Sequence, residues 1–313
     1  HSLSMSVNNV AMSDIGANGI WTRSWTGSQT FSATDIMIDG ADGGGFEGAG
    51  VYVSAWQDID FSFDPSWIND TYNHGILLES PTGNITAYIE EVTVTNAGGE
   101  GIALMANEGW VSLDAINTTV DRVADNGVVI MANTTVDISL DSVWVNDTGD
   151  SGVVANTGYG SMDVDVTGCM VTNTDDHAFQ ISTAMGDEIE FTATGLEMES
   201  VSWGVDLSAP EGWINASLME VIANGVNGHG VSIEANHTVD LMAEMVAFND
   251  TIAGSVFNIQ NERGDIIADL DQVEITNMTG DSLRMATMYG EVWLEMTDAA
   301  IDVPTQAGEE GEI

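Results

Sequence analysis

Three aspartates stand at the same point of a repeated phrase and could bind a divalent cation. Asp125, Asp150 and Asp176 each lie two residues before a small residue that opens an apolar run. If these phrases stack as neighbouring strands, the side chains lie ~4.8 Å apart. Carboxylates at that spacing either raise one another's pKa or share a cation, and oxygen ligands suit Ca²⁺. The row is therefore either a Ca²⁺- or substrate-binding stripe or a solvated corner row, and both interpretations stay open.

The phrase that places these aspartates recurs every 25 to 30 residues. It is a small residue followed by apolar residues spaced two apart. Its openings are Gly19, Gly45, Gly75, Gly101, Gly127, Gly152, Ala178, Gly204, Gly230, Ser255 and Ser282. A repeat of this length predicts a solenoid, in which each repeat buries its apolar face against its neighbours.

Within each repeat the sequence alternates with a period of two. The aligned repeats begin at Met5, Phe31, Phe61, Ala87, Leu113, Ile138, Val164, Phe191, Ala216, Leu241, Ala268 and Leu294. The first, third, sixth and eighth positions are mostly apolar, and polar residues lie between them, which is typical of strands with one buried face. Three short strands per repeat predict an all-β fold, a parallel β-helix of about 11–12 coils. We expect one domain over residues 1–304, with an acidic tail or linker at 305–313.

Asn or Asp recurs just after the second predicted strand. The positions are Asn69-Asp70, Asn96, Asn146-Asp147, Asn173, Asn224, Asn249-Asp250 and Asn277. These residues tolerate left-handed backbone conformations, so a stacked row of them is expected at a coil corner. The recurrent glycine is expected at the next bend, where a Cβ atom would be crowded.

This pattern resembles the right-handed parallel β-helix of the pectin lyase-like superfamily, from about Met5 to Val303. Residues 173–177 (Asn-Thr-Asp-Asp-His) and 228–233 (Gly-His-Gly-Val-Ser-Ile) are similar to elements of its polygalacturonase-type glycoside hydrolases. The resemblance implies Asp175 and Asp176 as acid and base, assisted by His229. The family's Arg-Ile-Lys element is absent, and the chain contains no lysine.

The chain carries a formal net charge of −46, from 50 acidic residues against four arginines. Such a field repels nucleic acid and anionic lipid, so neither is expected as a partner. The acidity predicts adaptation to high salt or binding of divalent cations, and the two can coexist. No apolar run of 18 residues occurs, so membrane insertion is not expected. Cys169 falls in an apolar column and is expected to be buried.

Nine acceptor motifs for N-glycosylation, all expected at turns or edges, predict an extracellular protein of archaeal or eukaryotic type. They lie at Asn69, Asn84, Asn117, Asn133, Asn146, Asn215, Asn236, Asn249 and Asn277. Six tryptophans are candidates for a wall that binds neutral glycans. They are Trp56, Trp67, Trp110, Trp203, Trp213 and Trp293.

Together these features favour a non-catalytic extracellular module of a cell-surface, adhesion or structural assembly protein, with Ca²⁺ as its candidate ion. Unpaired strand edges at solenoid ends are normally covered, so self-assembly or further modules of a longer chain are the expected partners. The alternative is a polysaccharide-binding or polysaccharide-hydrolysing protein. β-Elimination is disfavoured, because the four arginines fall in four different columns of the repeat.

Overall fold

The computed structural model of the chain describes residues 2–41, 48–186 and 188–302. These residues form a parallel β-solenoid that contains no helix, which confirms the expected fold class. Searching the described residues for a helix that is long and apolar enough to cross a membrane gives none. The predicted tail at 305–313 and the opening predicted at Gly45 lie outside the described residues.

Each coil contributes up to three strands, and equivalent strands stack into three ladders. The first ladder defines coils 1 to 12 and contains β1 (Leu3–Ile15), β3 (Gln29–Ala41), β5 (Ile59–Thr71), β7 (Ile85–Glu90), β10 (Val111–Ile116), β13 (Val136–Asp141), β16 (Met162–Thr167), β18 (Glu188–Thr194), β20 (Trp213–Met219), β23 (Val239–Glu244), β26 (Ile266–Asp271) and β29 (Val292–Thr297).

The second ladder begins with the second halves of β1, β3 and β5. It continues with β8 (Val92–Ala97), β11 (Thr119–Val123), β14 (Trp144–Thr148), β17 (Met170–Thr183), β19 (Glu197–Ala209), β21 (Ile222–Asn224), β24 (Ala247–Asn249), β27 (Glu274–Thr276) and β30 (Ala300–Asp302). The third ladder contains β2 (Ile20–Ser24), β4 (Val51–Ala55), β6 (Ile76–Ser80), β9 (Ile102–Ala106), β12 (Val128–Ala132), β15 (Val153–Thr157), the second halves of β17 and β19, β22 (Val231–Ala235), β25 (Phe257–Asn261) and β28 (Leu283–Thr287).

The register of the first ladder confirms the predicted alignment of the repeats. Met5 pairs with Phe31 and Phe31 with Phe61, and the column continues through the predicted first residue of every coil to Leu294. One core runs along the axis between the ladders. Cys169 is buried in it, as expected, and burial raises the pKa of its thiol to about 11.

Two predicted openings of the third ladder are wrong. Ile20 pairs with Val51, so Gly50 rather than Gly45 opens this strand in coil 2. In coil 10 Val231 pairs with Phe257, so Val256 rather than the predicted Ser255 opens the strand. At this position the other coils mostly have glycine. Both errors arise where a glycine-rich or small-residue stretch offers several equivalent openings, and only the pairing of neighbouring coils selects one.

The corners explain the recurrent Asn and Asp. Left-handed residues lie near the end of the second-ladder segment or directly after it in successive coils, at Asp14, Gly40, Asp70, Asn96, Arg122, Asp147, Asn173, Ser200, Gly225, Asp250 and Asn277. In each Asn-Asp pair the aspartate takes this conformation. The asparagine before it bonds to the neighbouring coil instead, as Asn146 does with Asp121 (2.6 Å) and Thr172 (2.6 Å). The predicted corner row is therefore confirmed. In each Asn-Asp pair the aspartate turns the chain, and the asparagine bonds to the neighbouring coil.

Replacing Gly101 by alanine should destabilise the solenoid strongly. The added Cβ atom would meet the Val120 side chain and lie 2.7 Å from the Gly127 carbonyl oxygen of the next coil. Because that contact is backbone and cannot move alone, we expect a loss of about 2 kcal/mol or more, measured by denaturant unfolding. Gly16→Ala is the control, since its Cβ atom meets nothing within 4 Å. Equal stability of the two variants would contradict this account of inter-coil packing.

Candidate functional site

The corner between the second and third strands carries most of the side chains singled out by the sequence. In coils 3 to 7 this corner borders an open groove of about 980 Å³. Thr71, Val123 and Thr148 line it where the second strands end, and Tyr72 and Asp175 lie among the corner residues that line it. We call this surface the corner groove. It exists because a left-handed residue turns the chain out of the second strand in every one of these coils.

The structure brings the three predicted aspartates together beside this groove. Asp125, Asp150 and Asp176 stand on coils 5, 6 and 7, and the Asp176 amide donates to the Asp150 carbonyl (3.3 Å). Partial burial raises the pKa of Asp150, and the carboxylates of Asp176 and Asp125 raise it further. The side chains therefore interact electrostatically, as expected of a stacked row.

The geometry offers little support for a metal site built from this row alone. Over the described ranges, no three His, Cys, Asp or Glu side chains are placed to hold a metal ion together. The Ser151 hydroxyl lies 3.5 Å from Asp176 Oδ2, at the outer limit of a hydrogen bond. Binding of Ca²⁺ stays a prediction, and it would need backbone or water oxygens to complete the coordination.

Asp176 contacts His177 rather than the predicted His229. His177 Nδ1 lies 3.0 Å from Asp176 Oδ2, and its ring stacks on Trp203 with a centroid distance of 5.6 Å. His229 lies on the far side of Trp203, at 5.0 Å, and its Nδ1 accepts a hydrogen bond from the Ser255 amide (2.8 Å). The indole therefore separates His229 from Asp176. The grouping of Asp175, Asp176 and His229 implied by the resemblance does not form one cluster.

Two features of the surface were missed at the level of sequence. His74 pairs with Glu100 one coil further on, and the hydrogen bond from His74 lowers the pKa of Glu100 against the effect of burial. Both residues precede the repeated glycine, so their shared column was the available signal.

The second missed feature is another acidic row, on the outer face of the first ladder. Asp137 pairs with Asp163 and Asp163 with Glu190. Burial raises the pKa of Asp163, and the carboxylates of Asp165, Glu190 and Asp137 raise it further. Each member of the row stands one residue before an aligned core position, which is the signal that could have found it.

The nine predicted glycosylation sites differ widely in exposure. Asn117 and Asn277 are exposed, whereas Asn236 is buried, with 7% of its surface accessible. Asn69, Asn146 and Asn249 lie within strands, where their side chains bond to neighbouring coils. The others are half-buried: Asn84, Asn133 and Asn215.

The six predicted tryptophans do not form one wall. Trp67 lies in the second ladder, paired with Met37 and Thr93, whereas Trp293 lies in the first ladder beside Ile267. Trp203 stands at the corner between two histidines, which occupy both sides of its ring. The prediction of one wall failed because the six tryptophans stand at several positions of the repeat and therefore do not share one column.

Comparison with known proteins gives the chain no relatives. No protein-family model, no curated protein and no solved structure matches it. The structure itself establishes a parallel β-solenoid, which is compatible with a β-helix superfamily.

Replacing Asp125 by asparagine tests whether the acidic row is repulsive or metal-binding. A carboxyl whose folded pKa is raised stabilises the fold most below its unfolded pKa, and this contribution is lost as pH rises through the folded pKa. Removing Asp125 should therefore lower the pKa of Asp150 and raise the unfolding midpoint at pH 7 in EDTA. At pH 3, below the raised pKa of Asp150, that carboxyl is protonated and the difference should largely disappear.

Asp240→Asn is the control, because it changes the net charge equally. In the register its neighbours are Asn215 and Ile267, neither of them acidic. A variant that loses stability in millimolar Ca²⁺ relative to the wild type, while the control does not, would show instead that the row binds the ion.

Proposed function

We propose that this chain is a non-catalytic structural module of an extracellular cell-surface or adhesion assembly. The observation that supports it best is the state of the two end coils. The core column of the first ladder runs without interruption from Met5 to Leu294, and within the described residues its members in coils 1 and 12 are more exposed than those between them. Membership of the pectin lyase-like superfamily, with its right-handed winding, belongs to the same proposal.

The last described coil presents core positions to solvent. Leu294 is 43% exposed and Met296 is 40% exposed, whereas Leu113 in the same column as Leu294 is 1% exposed. At the other end Met5 and Val7 are only partly buried. Open strand edges with apolar side chains are templates for pairing with further β-structure. An adjoining coil, from another module or another copy, would cover them.

The net charge sets the conditions for such stacking. Rods of charge −46 repel one another unless salt or bound cations screen the field. The two acidic rows, on coils 5 to 7 and 6 to 8, supply carboxylates for divalent cations to bridge. Ca²⁺ is the cation we propose, because its flexible coordination accepts oxygen ligands from several sources.

The alternative function is binding or hydrolysis of a polysaccharide. It is favoured by the corner groove, which has room for an extended ligand and holds Asp175 next to the Asp176–His177 contact. Against it stands the separation of His229 from these residues by Trp203.

Calcium should convert the monomeric rod into larger species. We expect sedimentation velocity at fixed ionic strength to show assembly in millimolar Ca²⁺, reversal by EDTA, and linear particles on grids. Leu294→Glu should block growth, because it places a charge on the open core column. Trp293→Glu, on the outward face of the same strand, is the matched control.

A rod that stays monomeric with and without Ca²⁺ would contradict the proposal. Release of reducing ends from a polysaccharide, abolished by Asp176→Asn, would establish the alternative.

Exposure should rank the glycosylation sites if the chain is extracellular. After expression in a host with N-glycosylation, we expect mass spectrometry to find glycans at Asn117 and Asn277 and none at Asn236. The transferase needs an accessible carboxamide, and the side chain of Asn236, directly after β22, is buried. High occupancy at Asn236 with none at the exposed pair would contradict the described corners.

A further inference from the structure

The outward face of the third ladder carries an aromatic patch in coils 1 and 2. Trp21, Trp25 and Trp56 are each more than half exposed. The register pairs Trp21 with Tyr52, and the Trp56 amide bonds to the Ser24 carbonyl, which brings Trp56 beside Trp25. Large exposed aromatic patches on a soluble surface mark interaction sites.

A polar column runs between these aromatic side chains. Arg23 pairs with Ser54 and Ser54 with Glu79, on coils 1, 2 and 3. The Arg23 guanidinium lies over the Trp25 ring at 3.5 Å, and Tyr52 Oη donates to Glu79 Oε2. Burial and the Glu79 carboxylate raise the pKa of Tyr52 to about 12, so the hydroxyl stays protonated. These contacts hold the Trp25 and Tyr52 rings in place before any ligand binds.

The patch is electrically balanced on a strongly acidic protein. Arg23 and Glu79 offset each other, and the same two outward columns carry no further charge up to coil 6. Their remaining members in coils 4 to 6 are Ala103, Met105, Val129, Met131, Val154 and Asn156. Coil 1 itself has only Asp14 and Arg23 as charged residues between 2 and 28. A ligand that covers these two columns therefore desolvates a single carboxylate, that of Glu79, on a chain with a formal net charge of −46.

The size of the patch selects a small ligand rather than a protein. Five residues of strand by three coils cover about 13 Å by 10 Å. A stable protein interface needs about 800 Å² on each partner, several times this area. Small-ligand sites combine aromatic walls with a few fixed polar groups, which is the composition found here. A shallow notch of about 70 Å³ between Trp25 and Trp56, with Ser54 on its lining, adds a concave element.

We propose that Trp21, Trp25 and Trp56, with the polar column between them, bind a neutral oligosaccharide. Sugar rings present apolar C–H faces to the indoles and hydroxyl edges to Arg23, Tyr52 and Glu79. A polyanionic glycan is disfavoured by the field of the rod. The inference rests on the proposed adhesion role for its biological meaning. It adds that the ligand bound in that role is a neutral oligosaccharide. Its site lies on a different surface from the corner groove and from both acidic rows.

An immobilised panel of cello-, chito-, xylo- and manno-oligosaccharides, with polygalacturonate as the anionic comparison, tests the proposal. We expect retention on at least one neutral sugar and none on polygalacturonate. Trp25→Ala and Trp56→Ala should each weaken retention at least tenfold. Tyr52→Phe keeps the ring but removes the hydroxyl and should weaken it several-fold. Trp144→Ala, a 42% exposed tryptophan of the second ladder, should bind like the wild type.

Three results would overturn the proposal: no neutral sugar retained, retention unaffected by Trp25→Ala and Trp56→Ala, or self-association lost in these two variants without any sugar binding. The last would make the patch a protein interface. Sedimentation in Ca²⁺ reports on assembly separately, so failure of sugar binding and failure of the structural role are distinguishable. Because the substituted tryptophans are exposed and Tyr52→Phe keeps the ring, circular dichroism should show an unchanged fold in each variant.

Discussion

The close approach of each coil's backbone to the next is the constraint on which this structure depends. At the opening of the third strand in coils 1 to 6, 8 and 9, an added Cβ atom would press on the carbonyl oxygen of the following coil. The bend therefore selects glycine in these coils, whereas Ala178, Val256 and Ser282 take the position in coils 7, 10 and 11. Left-handed residues turn the chain at the preceding corner. Variation in coil length has to be absorbed outside these fixed points, as in the 30-residue step between Phe31 and Phe61.

Stacking at this distance also determines the electrostatics. A parallel solenoid places equivalent positions of successive repeats in one column, so a repeat that favours Asp at a corner sets carboxylate above carboxylate. In both acidic rows burial raises a carboxyl pKa, at Asp150 and at Asp163, and the stacked carboxylates raise it further. A column in which a histidine stands next to a carboxylate behaves differently, because the hydrogen bond from His74 lowers the pKa of Glu100. The same geometry thus yields repulsion or pairing, depending only on what the next repeat supplies.

This dependence on columns explains what the sequence predicted well. Period-two alternation located every member of the first-ladder core column, because burial on one face leaves a strong signal in each repeat. The row formed by Asp125, Asp150 and Asp176 followed from the same alignment. The histidine partner of Asp176 did not, since the choice between His177 and His229 depends on where Trp203 inserts between them.

The aromatic patch was hidden by a register error of a few residues. With the coil 2 opening placed at Gly45, Tyr52 and Trp56 have no reason to lie beside Trp21 and Trp25. With the opening at Gly50, four aromatic residues and Arg23 meet on one face. Local propensity cannot decide between these glycines, because each satisfies the bend equally well. Pairing with the coils on either side decides it, so the patch is a property of the stack and of no single repeat.

The solenoid consequently separates two kinds of surface that a globular domain usually mixes. Carboxylates accumulate at the corner beside the groove and on the first ladder, where each repeat adds to the same column. The third ladder receives small, apolar and aromatic residues from coils 1 to 6, and its charges cancel. These surfaces are separate, so the cation proposed for the acidic columns and the uncharged ligand proposed for the aromatic face would not compete. That division is compatible with the proposed role, in which the rod would bind a ligand while it is held in an assembly.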